Sequence, residues 1–94
     1  MPSEPPAEIE ALLNQHVVVD TDSSYVYVGR LTAIGADYLT LADVDVHDTA
    51  DSRSSKEGYA HETRKLGTRP NRKVGYVRVA RVLSVSKLDD IIRF

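Results

Sequence analysis

The chain has no cysteine, which excludes disulfides and zinc sites of the thiolate kind, two common supports of small domains. No apolar run approaches the roughly 18 residues of a membrane span, and the opening MPSEPPAEIE has neither the basic start nor the apolar centre of a secretion signal. A soluble, cytoplasmic protein without membrane attachment is expected. There is no glycine-rich phosphate loop, and Ser23, Ser24, Ser54 and Ser55 stand in turn or cap contexts rather than beside a base. His16 precedes a strand and reads as an edge residue. These absences argue for a non-enzyme, with no cofactor and no small-molecule substrate evident.

What is present is one domain of 94 residues, spanning 1–94. A chain this short buries only about 60–65% of the surface its unfolded form exposes, so its core is thin and self-association becomes a natural stabiliser. The net charge of −2 conceals a division. Residues 1–52 carry ten acids against Arg30 alone, a net of −9, whereas residues 53–94 carry eleven bases against four acids, a net of +7. Such halves attract one another within a subunit or between subunits, or leave a basic surface for phosphate; self-neutralisation is the plainer expectation.

After a flexible tail over 1–6, Ile9, Leu12 and Leu13 recur at helical spacing with acids in the first turn, which predicts an amphipathic helix of about two to three turns. From Val17 the period changes. VVVDT, YVYVGRLTAI, YLTLADVDV, KVGYVRV and VLSVSKL read as five strands, with turns at DTDSS and GAD and only AR between the last two. Gly29 inside the second strand marks a bend or a close backbone approach. Between the third and fourth strands lies an insertion, 48–72, too long for a structureless loop. Ser54 with Glu57 fits a capping box, Tyr59, Thr63 and Leu66 make a stripe, and Gly67 fits a C-terminus, so the insertion is expected to be partly helical or the tip of a hairpin arm.

The stretch LADVDVHD places Asp43, Asp45 and His47 on one face of an ideal strand, with alternate residues about 6.6 Å apart. Those side chains are suitable ligands for a divalent metal, and a metal-dependent hydrolase is the alternative they raise, with His61 and Glu62 as the other candidate pair. A solvent-facing acidic strip opposite a valine core accounts for the same letters, and no metal site is assigned.

A short helix followed by five strands, with YVGRLTAIGADYLTLAD and then VRVARVLSVSKL, resembles the Sm and Sm-like (LSm) proteins. Gly29 and Leu31 stand in the places of the glycine and leucine of that family's first motif, and Arg78 in the place of the second motif's arginine. The resemblance leaves out the tail and the 48–72 segment, and is to a divergent member of bacterial or phage type. It implies a mainly β fold, an Sm-like (SH3-like) small open barrel of five strongly bent antiparallel strands, and a homo-oligomeric ring of roughly five to seven subunits. It also implies single-stranded RNA as a partner, with Tyr38 stacking on a base if the preceding turn is one residue longer than usual, and Arg78 packing on its other face. Thr40 replaces the family's base-reading asparagine, Asp37 lies one position from the usual turn aspartate, and Val79 stands where a glycine is usual. Selectivity for one base is therefore not expected.

The residues support the same site on physical grounds. A phenol face and a guanidinium plane sandwich a base by stacking and cation–π attraction, although Tyr38 covering a barrel edge and Arg78 pairing with a carboxylate explain the pair equally well. The basic cluster Arg64, Lys65, Arg69, Arg72 and Lys73 reaches either phosphate or the acidic half. Independently, an open five-stranded sheet leaves two edges bare, and YVRV and VLSVS are apolar edges without proline. A ring-forming RNA-binding or assembly protein is thus the leading expectation, and a purely structural oligomer its neighbour.

Overall fold

The computed structural model describes residues 6–51 and 55–92. Apart from Pro6, the expected tail lies outside them. A short helix α1 (Ala7–Glu10) leads into five antiparallel strands, β1 (His16–Thr21), β2 (Tyr25–Ile34), β3 (Tyr38–Asp48), β4 (Arg72–Arg78) and β5 (Val82–Lys87). A second helix, α2 (Lys56–Leu66), is inserted between β3 and β4. The strands form one open sheet in the order β4-β3-β2-β1-β5, so β4 and β5 are its two edges.

The sheet bends enough to bury apolar groups on both faces. Val17, Val19, Leu31, Leu39, Leu41, Val44 and Val77 form the larger core, with Leu12, Leu13, Tyr27 and Ile34 packed against it. Val18, Val26 and Val28 form a second cluster with Tyr59 and Ala60 of α2 and Leu88 beyond β5. This explains the unbroken VVV of β1: alternate valines serve opposite cores, so the strand has no wet side.

Gly29 supplies the close approach. Between the pairs Val28↔Asp45 and Arg30↔Ala42, β2 contributes Gly29 alone while β3 contributes both Asp43 and Val44. This is a bulge, and Asp43 adopts the left-handed conformation it requires, with φ of 51°. A Cβ at Gly29 would lie 3.0 Å from the Ala42 carbonyl oxygen and 3.3 Å from the Val44 Cα. The extra residue also resets the phase of β3. Leu39 and Leu41 point inward, then Asp43 is exposed and Val44 is fully buried.

Three local expectations are corrected. The first helix is only four residues long, and Leu12 and Leu13 pack from the turns that follow it. Asn14, with φ of 65°, ends those turns by donating its backbone N–H to the Leu31 carbonyl at 2.6 Å. The AR link is a 3₁₀ turn over Val79–Arg81. The insertion is helical, but its cap is Ser55, whose Oγ accepts from the Gly58 N–H at 3.0 Å; Ser54 lies outside the described residues. On α2, Tyr59, Ala60 and Thr63 face the sheet, whereas Leu66 is 64% exposed. Gly67, with φ of 88°, closes the helix through its N–H to the Thr63 carbonyl.

Among the described residues two ion pairs join the charge halves. Lys56 of α2 bonds the Asp20 carboxylate at 2.6 Å and the Thr21 carbonyl at 2.7 Å, and Arg81 pairs with Asp22 at 2.9 Å. The expected wider self-neutralisation is absent: among the described residues Arg64, Lys65, Arg69, Arg72 and Lys73 form no ion pair. Arg64 instead donates to the Asp89 carbonyl and Arg72 to the Asn71 carbonyl. Among the described residues no helix is long and apolar enough to cross a membrane.

Candidate nucleic-acid interface

Tyr38 opens β3 and Arg78 closes β4, two positions 40 residues apart in sequence that antiparallel pairing brings directly opposite one another. The Arg78 guanidinium carbon lies 5.9 Å from the centroid of the Tyr38 ring, within cation–π range. The proximity of the Tyr38 hydroxyl, and to a smaller extent the Asp37 carboxylate, raises the Arg78 pKa above its ordinary value, so the side chain stays charged.

The turn before β3 completes the wall. Gly35 donates its N–H to the Tyr38 carbonyl at 2.8 Å, and the Asp37 carbonyl accepts from the Val79 N–H at 2.9 Å, tying the two loops together. Between them is an open cleft of about 490 Å³ lined by Ala36, Asp37, Tyr38, Arg78, Val79 and Ala80. Asp37 and Tyr38, adjacent in the chain, thus share one cavity with the distant Arg78. Thr40 does not line it. It sits two residues along β3, opposite Tyr76, with its carbonyl accepting from the Thr32 hydroxyl. Sequence reasoning missed Ala36 and Ala80, which also line the cleft.

The acidic strip does not gather into a metal site. The bulge at Asp43 breaks the alternation on which a shared face depended, leaving Asp43 exposed and Asp45 and His47 half-buried. Asp45 accepts the Arg69 N–H, and the His47 ring stacks on Tyr59 at 4.0 Å with 6° between planes. His61 faces Glu57, one helical turn away, rather than acting with Glu62. Among the described residues no three metal-ligating side chains come together.

Tyr59 itself is buried by that stack. Burial first, and the Asp45 carboxylate second, push its phenol well above the ordinary value of 10.0. Among the described residues neither its hydroxyl nor the enclosed His47 Nε2 makes a well-formed hydrogen bond, the Asp45 carboxylate lying near the hydroxyl.

No family model matches the sequence, and no curated protein does. Solved structures do match. The Sm protein of Pyrococcus abyssii, solved in complex with a uridine heptamer, superposes with a TM-score of 0.60 at 17% identity, over 89% of this chain and 99% of that one. The SmAP (LSm) protein of Methanococcus vannielii gives 0.56 at 19% identity, over 92% and 99%. A chain of the NatC complex bound to CoA gives 0.55 at 17% identity, over 87% and 86%. The likeness reaches the Sm-like level and not a bacterial or phage subtype. Five antiparallel strands in an open sheet, a short leading helix and a helical insertion after the third strand make this an Sm-like fold.

Proposed function

We propose that the protein is a non-catalytic, ring-forming RNA-binding protein that holds a base of single-stranded RNA between Tyr38 and Arg78. The observation that carries the reading is their direct pairing in an open cleft, with the cation 5.9 Å from the ring centroid. Stacking on such a surface is worth roughly 1–3 kcal/mol per base and tolerates any base. Thr40 lies outside the cleft lining, which favours weak base selectivity. The Sm protein of Pyrococcus abyssii was solved with a uridine heptamer, and the overlap of its whole chain with this one supports RNA as the partner class.

The ring follows from the edges. β4 and β5 end the sheet on opposite sides, so pairing β5 of one subunit with β4 of the next is heterologous and repeats until it closes, at five to seven subunits by analogy with the Sm fold. Leu83 and Val74, exposed by 67% and 49%, leave these strands unusually apolar for free edges. The variant Tyr38→Ala, Arg78→Ala is expected to keep the particle mass of the native protein and to lose oligouridine. Retention of oligouridine with native affinity contradicts the assigned site.

A second reading rests on the NatC likeness. A similar chain there belongs to a protein complex, which favours an assembly scaffold using the same fold. A particle of ring mass that takes up no RNA at any salt concentration selects this reading.

A further inference from the structure

We infer that Tyr76 is a second base-stacking position on the outer face of the β3–β4 edge, next to the Tyr38–Arg78 cleft, so that single-stranded RNA is held by two successive bases. The inference rests on the RNA reading above and extends it along the sheet.

The phase of β4 fixes which way Tyr76 points. Val77 is 4% exposed and belongs to the larger core, and a side chain at Gly75 would meet Val44, so the odd positions face inward. Tyr76 and Arg78 therefore share the outward face. Tyr76 stands opposite Thr40, and Arg78 stands opposite Tyr38. The two tyrosines are thus diagonal neighbours on one face, at roughly 7–8 Å, with Arg78 adjoining both. Arg78 and Tyr76 are separated by about 6.6 Å along the strand. That is close to twice the roughly 3.4 Å repeat of a nucleic-acid strand, the room one inserted base needs.

Nothing among the described residues accounts for Tyr76. Its side chain is the most exposed of the large aromatic groups and, among the described residues, makes no hydrogen bond or ring contact. Free edge strands are ordinarily protected by charge or proline rather than by an outward tyrosine. The charges beside it favour an anionic partner. Arg78 at one end of β4 and Arg72 at the other form no ion pair among the described residues, and both are exposed. Aromatic faces interleaved with unneutralised cations are what a single strand requires, bases stacking while phosphates meet charge.

The test is fluorescence anisotropy with labelled oligouridine of about 4 and about 12 nucleotides, which bracket the range of site sizes of single-strand-binding folds. Tyr76→Ala is expected to weaken the longer probe by roughly 5- to 150-fold, the equivalent of one stacked base, while Tyr76→Phe binds as the native protein does. Tyr38→Ala is expected to weaken both probes. Ultraviolet crosslinking of the native protein to the longer probe, followed by peptide mapping, is expected to mark Tyr76 as well as Tyr38. If Tyr38→Ala loses binding but Tyr76→Ala does not, the second position is refuted and the cleft stands. If the native protein binds neither probe, the RNA reading falls and takes this one with it. If Tyr76→Ala lowers the particle mass in light scattering, Tyr76 is a contact between subunits and the inference is overturned.

Discussion

Tyr38 and Arg78 are cross-strand partners at the one corner of the sheet where the start of β3 meets the end of β4, and the arginine cation faces the tyrosine ring at 5.9 Å. The pair gains part of its meaning from its neighbours. The Val79 N–H is bonded to the Asp37 carbonyl, which ties together the residues next to the two side chains.

This predicts that Arg78→Lys is not a conservative change. Lysine keeps the charge but has no plane to lie on a base, and oligouridine affinity is expected to fall by roughly ten-fold, about 1.4 kcal/mol. Titration over a range of salt concentrations checks it: the salt dependence should be unchanged because no charge is lost. A lysine variant with native affinity would show that Arg78 acts as a point charge only.

Gly29 is required by the bulge rather than by its own backbone angles. Gly29→Ala puts a Cβ 3.0 Å from the Ala42 carbonyl oxygen, against backbone that cannot swing away. A loss of about 1–3 kcal/mol in urea unfolding is expected, the usual range for overpacking. By contrast, Gly67→Ala meets no neighbouring atom and is disfavoured only by its φ of 88°.

Tyr59 gives the fold an alkaline limit. Its pKa is raised by folding, so the folded state holds the proton after the unfolded chain has released it. The associated stability is complete below the ordinary value of 10.0 and is lost as pH rises beyond it. Tyr59→Phe removes this term, and its stability curve should fall less steeply than the native one above that pH. Near neutral pH the same change should cost no more than about 1 kcal/mol, because the buried hydroxyl has at most a poorly aligned interaction with the Asp45 carboxylate. Thermal unfolding of both proteins across the alkaline range checks the two statements together; a marked loss at neutral pH would mean that the hydroxyl has a partner.

Much of the fold could be read from particular residues. The β-branched runs marked the five strands, Gly29 and Leu31 marked the bent second strand, and Gly67 marked the end of α2. The β3 bulge escaped, though LTLADV carries its trace: Leu39 and Leu41 keep one phase and Val44 takes the other. A strand drawn straight through that change puts Asp43, Asp45 and His47 on one face, which is how a metal site came to be considered. Ion pairing was also overestimated. Net charge gives the attraction between halves, but among the described residues only Lys56 and Arg81 are placed to pair with a carboxylate of the acidic half, Asp20 of β1 and Asp22 just after it. The site was legible as single residues, Tyr38 and Arg78, because their pairing follows from strand order. The alanines that line it and the outward Tyr76 depend on local backbone direction, which composition does not carry.

The central claim, a ring that carries RNA, is tested most directly by light scattering across a size-exclusion peak, with protein and nucleic-acid absorbance recorded together after oligouridine is added. The account predicts a particle of five to seven 10.4 kDa subunits that co-elutes with the oligonucleotide. A monomer of 10.4 kDa that leaves the oligonucleotide behind would contradict it.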